Sequence, residues 1–213
     1  MEEYLIETDY LDFSSPAVKE LVKPFIDIEN SKEKAIKLYY EVRDKFLYDP
    51  YHLNLRHEYL KASVILKKNR AWCVEKSIVL AAALRAVGIP ARLGYGIVIN
   101  HIGVEKLTSY LKREEIVFHG YVDVFIEGKW VKTTPAFDET VCKLSGVPPL
   151  DWDGKTDAMF QAYSGDKKFM EYIHFYGTFP DVPVELMNAE MKKYYSHLFE
   201  EEINERRFSF IHL

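Results

Sequence analysis

The segment Ile78-Val79-Leu80-Ala81-Ala82-Ala83-Leu84 leaves no polar face over two helical turns. Such a helix is stable only with protein on most sides, so the rest of the chain must fold around it. Gly88 is placed to close it in a left-handed cap, and Pro90 prevents its continuation. Directly before it, in Arg70-Ala71-Trp72-Cys73-Val74-Glu75-Lys76-Ser77, stands Cys73. The first turn of a helix carries unpaired N–H groups and the positive end of its dipole. Both favour thiolate over thiol, a placement that suits a cysteine nucleophile.

With 213 residues, 48% of them hydrophobic, the chain can bury one full core around that helix. No internal repeat, low-complexity tract or Gly/Ser linker divides it. The expectation is a single domain over 1–213, with a core at about 31–140, a helical lead-in before it, and a loop and helix packed on it afterwards. The 15% aromatic content is read as core rather than as a groove for an extended ligand. A net charge of −5 argues against nucleic acid or an anionic membrane as partner. Met1-Glu2-Glu3-Tyr4-Leu5-Ile6-Glu7 lacks the pattern of a signal peptide, and no apolar stretch reaches the length of a bilayer, so a soluble, cytoplasmic protein is expected. In that setting Cys73 and Cys142 read as two reduced thiols, with Cys142 structural.

No metal site or cofactor is expected. His52 and His57 stand five apart without cysteines or a facing carboxylate pattern. Asp151, Asp153 and Asp157 precede no closing glutamate, and Gly154 comes too early for a calcium loop, so they read as a turn. No glycine-rich phosphate loop is present.

Ser15-Pro16 opens a short helix carrying Val18, Leu21 and Val22. Ser31 is placed to cap the next, whose stripe Ala35, Leu38, Tyr39, Val42 and Phe46 ends before Asp49-Pro50. The β-formers from Arg92 to Ile99 predict a strand, and 100–115 an irregular, partly helical excursion. Val117 to Thr134 predicts a hairpin. A two-residue turn at Glu127-Gly128 pairs Phe125 with Trp130, Asp123 with Lys132 and Tyr121 with Thr134. By alternation His119, Tyr121, Asp123 and Phe125 then share a face, with Thr134 diagonal to His119. Beyond Pro135 the turn residues of 146–154 predict a long surface loop, and roughly Pro183 to Arg207 a final packing helix.

Cys73-Val74-Glu75-Lys76-Ser77, followed by Leu84-Arg85-Ala86-Val87-Gly88-Ile89-Pro90-Ala91-Arg92, resembles the transglutaminase-like family of papain-type cysteine enzymes. His119-Gly120-Tyr121-Val122-Asp123-Val124-Phe125, then Gly128-Lys129-Trp130-Val131, is similar to that family's histidine strand and following hairpin. The resemblance covers Arg70 to about Pro135 and implies an α+β fold. In it the cysteine-bearing helix packs against an antiparallel sheet carrying the histidine. It also implies attack by Cys73 on an amide carbonyl of a protein or peptide, with His119 activating the thiol and protonating the leaving amine. The thioester would be resolved by water or by a second amine.

One position departs from the family pattern. Where an aspartate usually precedes a proline on the strand after the histidine, this chain has Thr134 before Pro135. Either Thr134 orients His119, or Asp138 swings back to do so, or there is no third member. The backbone N–H of Cys73 is the default oxyanion donor, with no second donor identified; Trp72 carries an indole N–H but is read first as a ring packed beside the helix start. Two readings stand beside the amide-directed enzyme. One is a catalytically silent transglutaminase-like module that binds peptides or proteins; the other is acyl transfer from a small-molecule thioester, as in arylamine acetyltransferases.

Overall fold

Side-chain caps open the first helices. In the computed structural model, which describes residues 1–101, 105–160 and 170–200, Ser15 Oγ accepts from the Val18 N–H at the start of α1 (Pro16–Val22). Asn30, rather than Ser31, caps α2 (Ser31–Lys45), its Oδ1 accepting from the Glu33 N–H at 3.0 Å. β1 (Leu47–Tyr48) follows at once. It pairs in parallel with β2 (Arg70–Ala71) across a segment holding the short α3 (Ala62–Ile65).

Helix α4 (Cys73–Ala86) is buried from Cys73 through Arg85, as its lack of a polar face requires. Gly88 has a φ of +78°. Its N–H meets the Arg85 carbonyl, and the Ile89 N–H meets the Leu84 carbonyl, satisfying acceptors the helix end leaves open. Three helices and the sheet enclose α4: α1, α2 and α3 on one side, then β3 (Ala91–Asn100) and, after α5 (Glu105–Leu111), β4 (Glu115–Ile126) on the other.

β4 turns into β5 (Lys129–Thr133) through Glu127 (φ +50°) and Gly128 (φ +85°), the left-handed pair that a two-residue hairpin requires. Phe125 faces Trp130 and Asp123 faces Lys132, as expected. The ion pair of Asp123, however, is with Arg92 on the neighbouring strand, Oδ2 to Nη2 2.7 Å. The ladder stops at Thr133, because the Thr134 N–H donates to the Ala158 carbonyl instead.

The long loop expected after Pro135 contains regular structure. α6 (Glu139–Ser145) is capped at its start by Asp138 and at its end by Gly146 in a left-handed conformation. β6 (Met170–Phe179) pairs antiparallel with β3, completing a sheet of order β5-β4-β3-β6. Two register shifts and the exposure of Ile173 and Phe175 erase the alternation by which a strand is read from sequence. The expected last helix is two: α7 (Val184–Tyr194) and α8 (Ser196–Glu200). Tyr195 breaks it by turning its side chain to β4, where the hydroxyl donates to the Glu115 carbonyl and accepts from the Val117 N–H, both at 2.8 Å. Residues 201–207 of that expected helix lie outside the described residues. Among the described residues no helix is long and apolar enough to cross a membrane.

Candidate active site

Cys73 is the first residue of α4, and only 2% of it is exposed. Glu75 reaches back to the Trp72 N–H at 3.4 Å and is itself neutralised by Lys68, which fixes the helix start. The backbone of Gly120, Val74 and Cys73 itself, and the hydroxyl of Tyr48, each favour the thiolate. Burial nevertheless outweighs them and pushes the thiol up to about 11. The helix start alone favours thiolate, but a sulfur anion stripped of water loses more than these dipoles return. At rest the residue is a neutral thiol.

The strand bearing His119 runs directly against this helix start. A Cβ built on Gly120 would lie 3.1 Å from Val74 Cα and 3.2 Å from the Cys73 carbonyl oxygen, so glycine lets β4 approach this closely. Just before His119 the ladder is irregular: Val117 and Phe118 together oppose Ile97, and Phe118 adopts a φ of +63°. This is a β-bulge, uncommon for a bulky residue and held by stacking of Phe118 on Tyr95 with ring centroids 4.6 Å apart. It re-aims the chain at the imidazole. From His119 onward the expected alternation runs unbroken in the pairing with β3.

His119 is 1% exposed, and burial pulls its imidazole down to about 3, so it is neutral at pH 7. Its Nδ1 lies 2.7 Å from the hydroxyl of Tyr172 on β6. Its Nε2 is buried with no hydrogen-bond partner among the described residues. The Thr134 hydroxyl donates to the Gly120 carbonyl at 3.1 Å. Asp138 accepts the Thr140 and Val141 N–H groups on one oxygen, at 2.9 and 3.2 Å, and the Tyr48 N–H on the other, at 2.7 Å. Both expected orienting residues thus bond the backbone around the site, and a tyrosine meets the imidazole. Trp72 is buried beside Cys73, its indole Nε1 without an acceptor among the described residues.

Lys76, one turn after Cys73, is fully buried, and its ammonium donates to three carbonyls: Arg43 at 2.7 Å, Ala136 at 2.8 Å and Phe46 at 3.2 Å. It ties the end of α2 and the loop between Thr134 and Asp138 to α4, and so sets where Tyr48 and Thr134 sit. Tyr48 and Tyr172 are the two site residues that motif reasoning did not single out. Tyr172 lies in a run of β-formers, Tyr172-Ile173-His174-Phe175-Tyr176, and that run is the one signal for a strand there. Among the described residues, no three His, Cys, Asp or Glu side chains gather as metal ligands would.

The model of the transglutaminase-like superfamily matches residues 20–135. Among solved structures, a "putative cysteine protease" from Cytophaga hutchinsonii is similar at 20% identity and a TM-score of 0.48, over 62% of this chain and 40% of that one. The likeness therefore spans two-fifths of that protein's length. No curated protein matches the sequence. The cysteine-bearing helix, the histidine strand and the hairpin after it all fall inside a match to more than half of the chain, which belongs to the transglutaminase-like superfamily.

Proposed function

We propose that this protein is a cysteine enzyme that cleaves or transfers an amide-bonded acyl group of a protein or peptide, through a thioester on Cys73. The supporting observation is the approach of β4 to the start of α4, which sets Gly120, the neighbour of His119, against the Cys73 backbone. In this reading the sulfur attacks the acyl carbon, the carbonyl π pair moves to oxygen, and the thiol proton passes to His119. The Cys73 N–H receives the oxyanion. Collapse breaks the C–N bond, and the imidazolium proton leaves with the amine. Because both groups are neutral at rest, the proton moves during attack rather than beforehand.

Alkylation and acylation test this in one experiment. Iodoacetamide labelling of Cys73, followed by mass spectrometry, should accelerate about tenfold per pH unit from pH 7 to 10, in keeping with a thiol near 11. With p-nitrophenyl acetate, wild type should acquire an acetyl group on Cys73, Cys73→Ala none, and His119→Ala one formed roughly 100-fold or more slowly. Equal acetylation of wild type and His119→Ala would remove the base from the proposal.

A second reading, the silent binding module, is favoured by the burial of both Cys73 and His119. Absence of any Cys73 adduct with the ester from pH 7 to 9 would decide for it.

A further inference from the structure

We propose that Tyr172 fills the third catalytic position, as a residue that positions His119: its hydroxyl accepts from Nδ1–H and leaves the Nε2 lone pair free to take the thiol proton. This rests on the reading of His119 as the base.

The role of His119 as a base selects the direction of that bond. The two atoms are 2.7 Å apart. If the hydroxyl donated to Nδ1, the ring proton would sit on Nε2, which has no acceptor around it among the described residues. If the hydroxyl instead accepts from Nδ1–H, its own proton turns away from the ring and Nε2 keeps the lone pair that a base needs, so the reading of His119 as the base places the proton on Nδ1.

The tyrosine is also held as an orienting group must be. Its ring stacks on Phe175 at 4.9 Å and 7°, meets Tyr121 edge-on at 6.0 Å and leans on Phe160 at 5.7 Å. Beneath it β3 carries Gly96, where a Cβ would fall 2.7 Å from Tyr172 Cδ1. Glycine at 96 is what lets the ring lie there. Thr134 and Asp138 bond the backbone instead.

A neutral hydroxyl fixes the tautomer without supplying the negative charge that would stabilise imidazolium in advance. As the S–C bond forms, the thiol proton transfers to Nε2 while Nδ1–H stays bonded to the Tyr172 oxygen. When the leaving group departs, the proton returns from Nε2 to it, and the imidazole ends as it began.

Histidine ¹⁵N NMR of the whole chain at pH 7 tests the assignment directly, with the His119 signals identified by their loss in His119→Gln. The expected wild-type pattern is a protonated Nδ1 and an unprotonated Nε2. In Tyr172→Phe that pattern should give way to an exchanging mixture, and acetylation of Cys73 by p-nitrophenyl acetate should fall roughly 10- to 100-fold, part of what a general base supplies. A wild-type Nε2–H tautomer overturns the proposal, and that spectrum alone decides it if Tyr172→Phe does not fold. Acetylation of a folded Tyr172→Phe as fast as wild type, or faster, also overturns it. An Nδ1–H wild type that never acetylates Cys73 instead overturns the enzymatic reading and leaves the tautomer standing, so the two failures are distinct.

Discussion

Lowering the pH from 6.5 to 3 should cost the folded state about 4 kcal/mol through His119 alone, the linkage consequence of a folded-state value near 3 against 6.5 when unfolded. The sign follows from which state binds the proton. Unfolded, the imidazole protonates as the pH falls below 6.5. Folded and stripped of water, it stays neutral until about 3. Its stabilising contribution is therefore complete above pH 6.5 and is lost progressively as pH falls toward the folded value. Urea unfolding of wild type and His119→Phe, compared at matched pH, cancels most other titrations. The wild-type advantage should shrink by about 3 kcal/mol between pH 6.5 and 4. Parallel curves over that range would mean that His119 is not buried uncharged.

The second large effect is expected at Lys76. Replacing it with methionine keeps the length and removes the ammonium, leaving the carbonyls of Arg43, Phe46 and Ala136 without their donor. At about 2 kcal/mol for each buried acceptor left unmet, the loss is about 6 kcal/mol. Against it stands relief from burying a charge. Desolvation lowers the Lys76 ammonium to about 8 from 10.5, a cost of about 3 kcal/mol. The unmet carbonyls win, and Lys76→Met should be about 3 kcal/mol less stable at pH 7. The pH dependence is a second check. Between pH 8 and 10.5 the unfolded chain holds a proton on Lys76 that the folded one has released, so wild-type stability rises through that window and its lead over the variant widens. A variant as stable as wild type, with a flat difference from pH 8 to 10.5, would show that Lys76 does not hold those segments together.

What could be read from the sequence was local. The apolar run after Cys73, the glycine and proline that end it, and the turn that sets Phe125 against Trp130 each depend on neighbours a few residues away. All three appear as expected. The ionisation of Cys73 was not legible, because a helix start is visible in sequence and its burial is not. The partner of His119 was not legible either: Tyr172 lies 53 residues downstream on a strand whose bulged pairing hides its period. Thr134 occupied the position where family resemblance expects an aspartate, yet the local hairpin gave no sign that its hydroxyl would bond Gly120.

β6, the sheet edge that carries Tyr172, has a bearing on how the molecule is made. The chain leaves the ribosome N-terminus first, so α4, β3 and the β4–β5 hairpin can begin to organise before β6 exists. Antiparallel pairing of β6 with β3 closes a long stretch of chain, with Leu93 opposite Phe179, and non-local ladders of this kind form late. In that interval β3 is an unpaired edge, and the imidazole next to it lacks the hydroxyl that meets its Nδ1. Docking of one late strand therefore does two things in the same step: it covers the open edge of β3, and it completes the surroundings of the histidine.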